Sequence, residues 1–444
     1  MTEKKATNRP STIPGKRRAH GSVYILGLGM AAPEDAAREL AGNSIVNSAR
    51  TLVGPGKILE LLDRHPGEKI AVGPDIPNLC ARIKSAPGRV VLLCSGDPLF
   101  FSLGSSVAAF LKPRAVRIIP SPSSLQTACA CLGLPWEDTR CVSLHGRSDL
   151  LPFAHALMSG RRVFLLTDER TDPQKLSAWM LERGYSAYRL HILDGLRLDP
   201  AFGARARQRQ TLSIAAAAQG KAAPPPSGLP GQRAILLEPT KPPVVRPSCL
   251  DDSLLSKAGG MFSKAPVRAA GMAALGIEPG HTVWDLGAGS GATALEAARL
   301  AWAGQVFAVE RKLDRLKAIA ENRKKSGAAN LEIMALDLPF SRSPDAKLPP
   351  PPDRVFIGGG LSGPPQAARE IIVEAYSALN PGGRLLAHCI LLSSLELARA
   401  VLKDLGAKTR VMSFQAGEGR TLAGDLRLEA SNPVFLVLGE KSHG

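Results

Sequence analysis

Seven residues in the second half of the chain, Asp285-Leu286-Gly287-Ala288-Gly289-Ser290-Gly291, set an acid and three alternate glycines directly behind the apolar run Thr282-Val283-Trp284. Glycine lets a backbone turn sharply and lets a ligand come close. A helical segment from Ala292 to Ala303 follows, giving the loop the strand–turn–helix setting of a nucleoside-binding site. The spacing is not the Gly-x-Gly-x-x-Gly of hydride-transfer folds. Two further acids stand in step with it. Glu310 closes the next strand, Gln305–Glu310, nineteen residues after Gly291, where a carboxylate can accept hydrogen bonds from both hydroxyls of a ribose. Asp337 follows a third strand, Leu331–Met334, placed to meet an adenine amino group.

A second set lies in the first half. Gly27 and Gly29 follow Val23–Leu26, Ser95-Gly96-Asp97-Pro98 follows Val90–Cys94, and Ser123 and Ser124 open a helical stretch that runs to Leu132. Pro98 fixes the turn after Asp97, and Gly96 permits close backbone approach. Ligands of open parallel sheets bind at the carboxyl ends of the strands, where both sets sit.

The elements that must position these loops alternate strand and helix, which predicts an α/β fold. With 444 residues, two or three domains are expected. Aromatics make up only 5% of the chain, so its cores must be built from Ala, Leu, Val and Ile. The pattern divides into a basic, disordered tail over 1–20, a domain over 21–240 with lobes of about 21–120 and 121–240, a proline-rich linker over 241–256, and a doubly wound domain over 257–444. Within the first domain a helix is expected from Pro33 to Ala49, and strands at Cys141–Leu144, Val163–Leu166 and Ala234–Leu237. Ala215 to Pro230 reads as a loop or weakly ordered insert. Within the last domain, helices are expected at Leu313–Ser326 and Gln366–Leu379, and strands at Arg354–Ile357 and Arg384–Ala387.

A net charge of +17 invites nucleic acids, anionic membranes or acidic small molecules alike. Six of the cations, Lys4, Lys5, Arg9, Lys16, Arg17 and Arg18, belong to the tail, and no aromatic stacking platform or nucleic-acid module accompanies them. Seven scattered cysteines form neither a disulfide framework nor a zinc pattern, so a reduced cytoplasm and no metal are expected. No stretch reaches the roughly 20 apolar residues of a membrane span. The expected assembly is a homo-oligomer without membrane or nucleic-acid partners.

The C-terminal loop with Asp285, Glu310 and Asp337 resembles that of class I S-adenosylmethionine methyltransferases. The N-terminal segments resemble the tetrapyrrole methyltransferase family, a two-lobed fold of a different kind. Leu132-Gly133-Leu134-Pro135-Trp136-Glu137-Asp138 and Val142-Ser143-Leu144-His145-Gly146-Arg147 are similar to cobalamin-pathway members acting late in corrin-ring methylation, in which this domain is fused to a class I domain. Gly259 to Ala269 matches the segment that enters that second domain, with Ser263 keeping a hydroxyl; at His388 the pattern usually has asparagine.

The resemblance implies one S-adenosylmethionine site per domain, held by Gly27, Gly29, Ser95, Gly96, Asp97, Pro98, Ser123 and Ser124 in one, and by Ser263, Asp285, Gly287, Gly289, Gly291, Glu310 and Asp337 in the other. It implies a polycarboxylate, precorrin-6-type corrin substrate, methylated at carbons 5 and 15 and decarboxylated at an acetate. Lys264 and Arg268 are candidates to pair its carboxylates, and His145 is either a proton donor or a structural hydrogen-bonder. No catalytic residue is assigned. A methyltransferase of another tetrapyrrole, an RNA or DNA methyltransferase and a non-catalytic sensor of the cofactor stay open; Gly358-Gly359-Gly360 stands where an amino-methylating enzyme carries Asn/Asp-Pro-Pro-aromatic.

Overall fold

The computed structural model describes residues 22–111, 116–168, 170–199, 201, 203–224, 233–241, 250–256 and 264–443; the basic tail, most of the proline-rich stretch and Ser263 lie outside the described residues. Strands β1 (Val23–Gly27), β2 (Thr51–Gly54), β3 (Glu68–Ala71), β4 (Val90–Cys94) and β5 (Val116–Ile119) form a parallel sheet in the order β3-β2-β4-β1-β5. β1 and β4 are apolar and buried almost throughout, as strands covered on both faces are, and they pair directly. That pairing brings the first two glycine-bearing loops side by side.

A second sheet has the order β6-β7-β10-β8-β9, built from β6 (Thr139–Ser143), β7 (Arg162–Thr167), β8 (Tyr188–Asp199), β9 (Gly203–Ser213) and β10 (Arg233–Pro239). By compactness, residues up to Trp136 with Leu193–Arg207 form one unit, and Glu137–Ile192 with Gln208–Gly444 the other.

The third sheet holds β11 (Thr282–Leu286), β12 (Gln305–Glu310), β13 (Leu331–Ala335), β14 (Arg354–Ile357), β15 (Arg384–Cys389), β16 (Lys408–Phe414) and β19 (Val434–Glu440) in the order β13-β12-β11-β14-β15-β19-β16. Only β19 runs antiparallel to its neighbours. The strand order reverses at β11, the point where a doubly wound sheet opens a crevice. Two apolar clusters cover its faces, one gathered on Leu295, Ile319 and Phe356, the other on Trp284, Ile372 and Val401. Strands β17 (Gly417–Leu422) and β18 (Asp425–Ala430) form a separate exposed ribbon.

Several elements depart from expectation. The helix expected over Pro33–Ala49 breaks into Pro33–Ala41 and Ser44–Asn47, because Gly42 ends the first piece and the Asn43 side chain caps the second through Ile45 and Val46 N–H. Part of the expected insert is a short helix, Ile214–Ala218. Among the described residues no helix is long and apolar enough to cross a membrane.

Candidate active site

β11 delivers Asp285 between Ala308 of β12 and Phe356 of β14. The residue is 1% exposed, and among the described residues no cation pairs with its carboxylate; the Ala294 N–H at the start of the following helix is its one polar neighbour, too far off-line for a well-formed hydrogen bond. Burial pushes its pKa up to about 7. An unpaired carboxylate in such a place is costly until a cation meets it. Asp285 borders a cavity of about 450 Å³ that Gly289, Ser290, Lys264, His388 and Asn432 also line. The site is thus built to take a positively charged group.

Gly287 has φ of +71°, and a Cβ there would stand 2.7 Å from the Gly359 Cα, so the turns after β11 and β14 touch in a way only glycine allows. Beyond this contact lies a second cavity of about 340 Å³, lined by Glu310, Arg311, Asp337 and Leu338; both cavities share Gly287, Gly359 and Arg315. Glu310 Oε1 accepts from the N–H groups of Arg311 (2.9 Å) and Lys312 (3.0 Å), while Oε2 accepts from Gly289 N–H (3.1 Å) and pairs with Arg315 (3.5 Å). A ribose hydroxyl would therefore share Oε2 with Gly289 and Arg315. Asp337 Oδ1 accepts Leu338 N–H at 2.9 Å and pairs with Arg311 at 3.5 Å. Asp285, Gly287, Gly289, Glu310 and Asp337 thus meet along one sheet edge, and Gly291 caps the helix Ala292–Leu300 beside them.

The structure corrects the expectation for Arg268. It is 0% exposed, with Nη1 2.6 Å from Asp252, Nε 2.9 Å from Glu296 and Nη2 donating to the Leu250 carbonyl at 2.7 Å. A guanidinium enclosed by two carboxylates inside the protein has no face left for a substrate. Lys264, by contrast, is exposed at the rim of the Asp285 cavity. His388, where the family pattern usually has asparagine, lines the same cavity, and burial pushes its pKa down, which favours the neutral ring. His145 sits exposed in a turn outside both cavities, next to Gly146, whose N–H donates to Asp168 at 2.7 Å.

In the first unit, Gly29 and Gly96 exchange backbone hydrogen bonds of 3.3 and 2.8 Å, joining the loops behind β1 and β4. A Cβ on Gly27 would stand 2.7 Å from the Ser121 side chain and 2.8 Å from Pro98. Asp97 uses one oxygen on Leu99 N–H (2.9 Å) and the other on Ser121 N–H (3.3 Å), so it fixes the loop. Ser95 remains exposed and Ser124 half-buried. The Ser123 hydroxyl caps the helix Ser124–Leu132 in a reciprocal box with Gln126, which fixes the start of that helix. Sequence reasoning missed Gly104, whose Cβ would meet the Pro98 carbonyl at 2.4 Å, and Phe101, an exposed aromatic at φ +49° three residues beyond Pro98. The Gly at 104 was visible; its partner was not.

Residues 22–194 match the family profile described as tetrapyrrole (corrin/porphyrin) methylases, and residues 255–437 match the one described as the precorrin methyltransferase domain, which defines a methyltransferase of two unlike folds. The precorrin-6Y C(5,15)-methyltransferase [decarboxylating] of a Sinorhizobium species is 32% identical over 302 residues, covering 68% of this chain and 68% of that protein. The chain belongs to the family of decarboxylating precorrin-6Y C(5,15)-methyltransferases. Two proteins of Salmonella typhimurium are also similar. A cobalt-precorrin-7 C(5)-methyltransferase is 32% identical over 33% of this chain and 72% of its own length. A cobalt-precorrin-6B C(15)-methyltransferase (decarboxylating) is 31% identical over 43% and 95%.

S-Adenosylmethionine is the cofactor of these enzymes, and the unpaired Asp285 carboxylate fits its ammonium group. Since the contact requires ionised Asp285, affinity at this site is expected to be level above about pH 7 and to fall by about tenfold per pH unit below it. Calorimetric titration from pH 5.5 to 8.5 checks this; a flat profile would show that Asp285 carries no such contact.

Proposed function

We propose that the chain methylates a precorrin-6-type corrin precursor at carbons 5 and 15 and decarboxylates one of its acetate side chains, in cobalamin biosynthesis. The N-terminal domain takes carbon 5; the C-terminal domain takes carbon 15 and releases carbon dioxide. The observation that carries this reading is the presence in one chain of two unlike glycine-loop sites, set beside relatives whose names divide the two methylations.

Bound S-adenosylmethionine supplies the methyl group. In the C-terminal site Asp285 would hold its ammonium, Glu310 its ribose and Asp337 its adenine; in the N-terminal site the joined loops of Gly27–Gly29 and Ser95–Pro98, with Ser124, would hold a second molecule. The macrocycle is the nucleophile, so the residues need to align it and exclude water rather than activate a group of their own. Lys264, exposed at the rim, is placed to pair a substrate carboxylate.

The ribbon β17–β18 supports a homo-oligomer. All twelve of its residues are exposed, Leu426 by 70% and Leu428 by 73%, and a lone two-stranded ribbon is marginal in water until something covers it. Seven scattered cysteines with no disulfide framework suit the cytoplasm.

The experiment is incubation of the full chain with S-adenosylmethionine and a precorrin-6-type substrate, read by mass spectrometry. Two methyl groups gained and one carbon dioxide lost are expected. No mass change, together with methylation of RNA, would overturn the corrin reading.

A further inference from the structure

The second lobe belongs by fold to the N-terminal methyltransferase, yet one of its turns is fitted to the C-terminal domain. The helix Pro173–Glu182 ends in Arg183-Gly184-Tyr185. Tyr185 is buried and donates its hydroxyl to the Gly327 carbonyl at 2.7 Å, at the end of the helix Leu313–Ser326. Arg183, also buried, reaches Glu332 on β13 at 2.8 Å while its guanidinium lies 4.1 Å from the Trp179 ring centroid. Between them Gly184, at φ +86°, leaves no space: a Cβ there would stand 1.9 Å from the Lys324 carbonyl oxygen. Ala329 of the C-terminal domain is packed into the second lobe's own apolar cluster, and His155 meets the Gly304 carbonyl at 2.9 Å.

These are features of a permanent joint. A buried arginine is paired across it with a half-buried glutamate, a tyrosine hydroxyl is satisfied across it, and a glycine allows backbone-to-backbone approach, whereas surfaces that meet transiently stay more polar and less closely fitted. Separating the surfaces would expose the cluster around Ala329 and take Glu332 away from Arg183. We propose that the Arg183–Gly184–Tyr185 turn is a docking element whose partner is the C-terminal methyltransferase domain, gripping the helix that follows Glu310 and the strand that precedes Asp337. The second lobe and the C-terminal domain then form a unit that does not depend on the peptide connecting them.

A specific protease site placed within residues 242–249 of the full chain tests this without reference to any methylation. After cleavage the two fragments are expected to co-elute in size-exclusion chromatography. In the R183M/Y185F double variant, which removes the ion pair and the hydroxyl bond while keeping side-chain volume, they are expected to separate, and in G184V likewise. Separation of the cleaved parent chain, or co-elution of the cleaved double variant, overturns the proposal. If G184V fails to fold, the double variant decides.

Discussion

Asp285→Asn is expected to weaken S-adenosylmethionine binding at the C-terminal site by about 10- to 150-fold, the range of a hydrogen bond to a charged group. The amide keeps the shape and loses only the charge, so the loop of Gly287 to Gly291 should stand. The same change acts in the opposite sense on the ligand-free protein. An aspartate ordinarily near 3.8 that is raised to about 7 on folding stabilises the folded state in its protonated form, and that contribution is lost as pH rises through 7. At pH 8 the ionised, unpaired group therefore costs the protein up to about 4 kcal/mol, from about 1.4 kcal/mol for each pH unit between the two values. Asparagine removes that cost, offset in part by burial of its own amide, about 1–3 kcal/mol. The ligand-free variant should thus unfold at a higher temperature than the parent at pH 8 and at a similar one at pH 5. In the mass-spectrometric assay one methyl gain should survive, while the second and the carbon dioxide loss fall away. Unaltered cofactor affinity in the variant would remove Asp285 from the site.

The contrast between Asp285 and Arg268 shows what the chain discloses before it is folded. The position of Asp285 is legible because strand, acid and three glycines are contiguous, and contiguity fixes geometry through the strand–turn–helix link alone. Its condition is not legible: whether a strand-end carboxylate finds partners depends on Ala308, Phe356 and Gly359, which arrive from elsewhere. Arg268 fails for the same reason. Its partners Asp252 and Glu296 lie 16 and 28 residues away, and no periodic pattern ties the three together. Edge elements are obscured differently. β9 carries Arg205, Arg207 and Arg209 on its exposed face and Ala204, Ala206, Gln208 and Gln210 on the other, so alternation of apolar residues is almost absent. The break at Gly42-Asn43 was available in the sequence, since glycine ends helices and asparagine begins them; a long apolar pattern across it concealed both signals.

Arg268→Ala is expected to destabilise the C-terminal domain by about 3–5 kcal/mol, the cost of leaving the buried Glu296 and the half-buried Asp252 without their partner. Glu296 is buried in the helix behind the glycine loop, and its Oε1 also accepts Leu250 N–H at 2.9 Å. Asp252 lies in the segment that leads into the domain. The guanidinium therefore holds three pieces together, and no other side chain offers three donors in that fork. Arg268→Lys keeps the charge but cannot serve Asp252, Glu296 and the Leu250 carbonyl at once, so an intermediate loss is expected. Neutralising the partners along with the arginine, as R268M/D252N/E296Q, should recover part of the stability, because no ionised group is then left alone. Chemical denaturation of the four proteins measures the series. The substrate-binding alternative makes the opposite forecast: Arg268→Ala would raise the corrin KM, leave the denaturation midpoint unmoved, and gain nothing from the triple replacement.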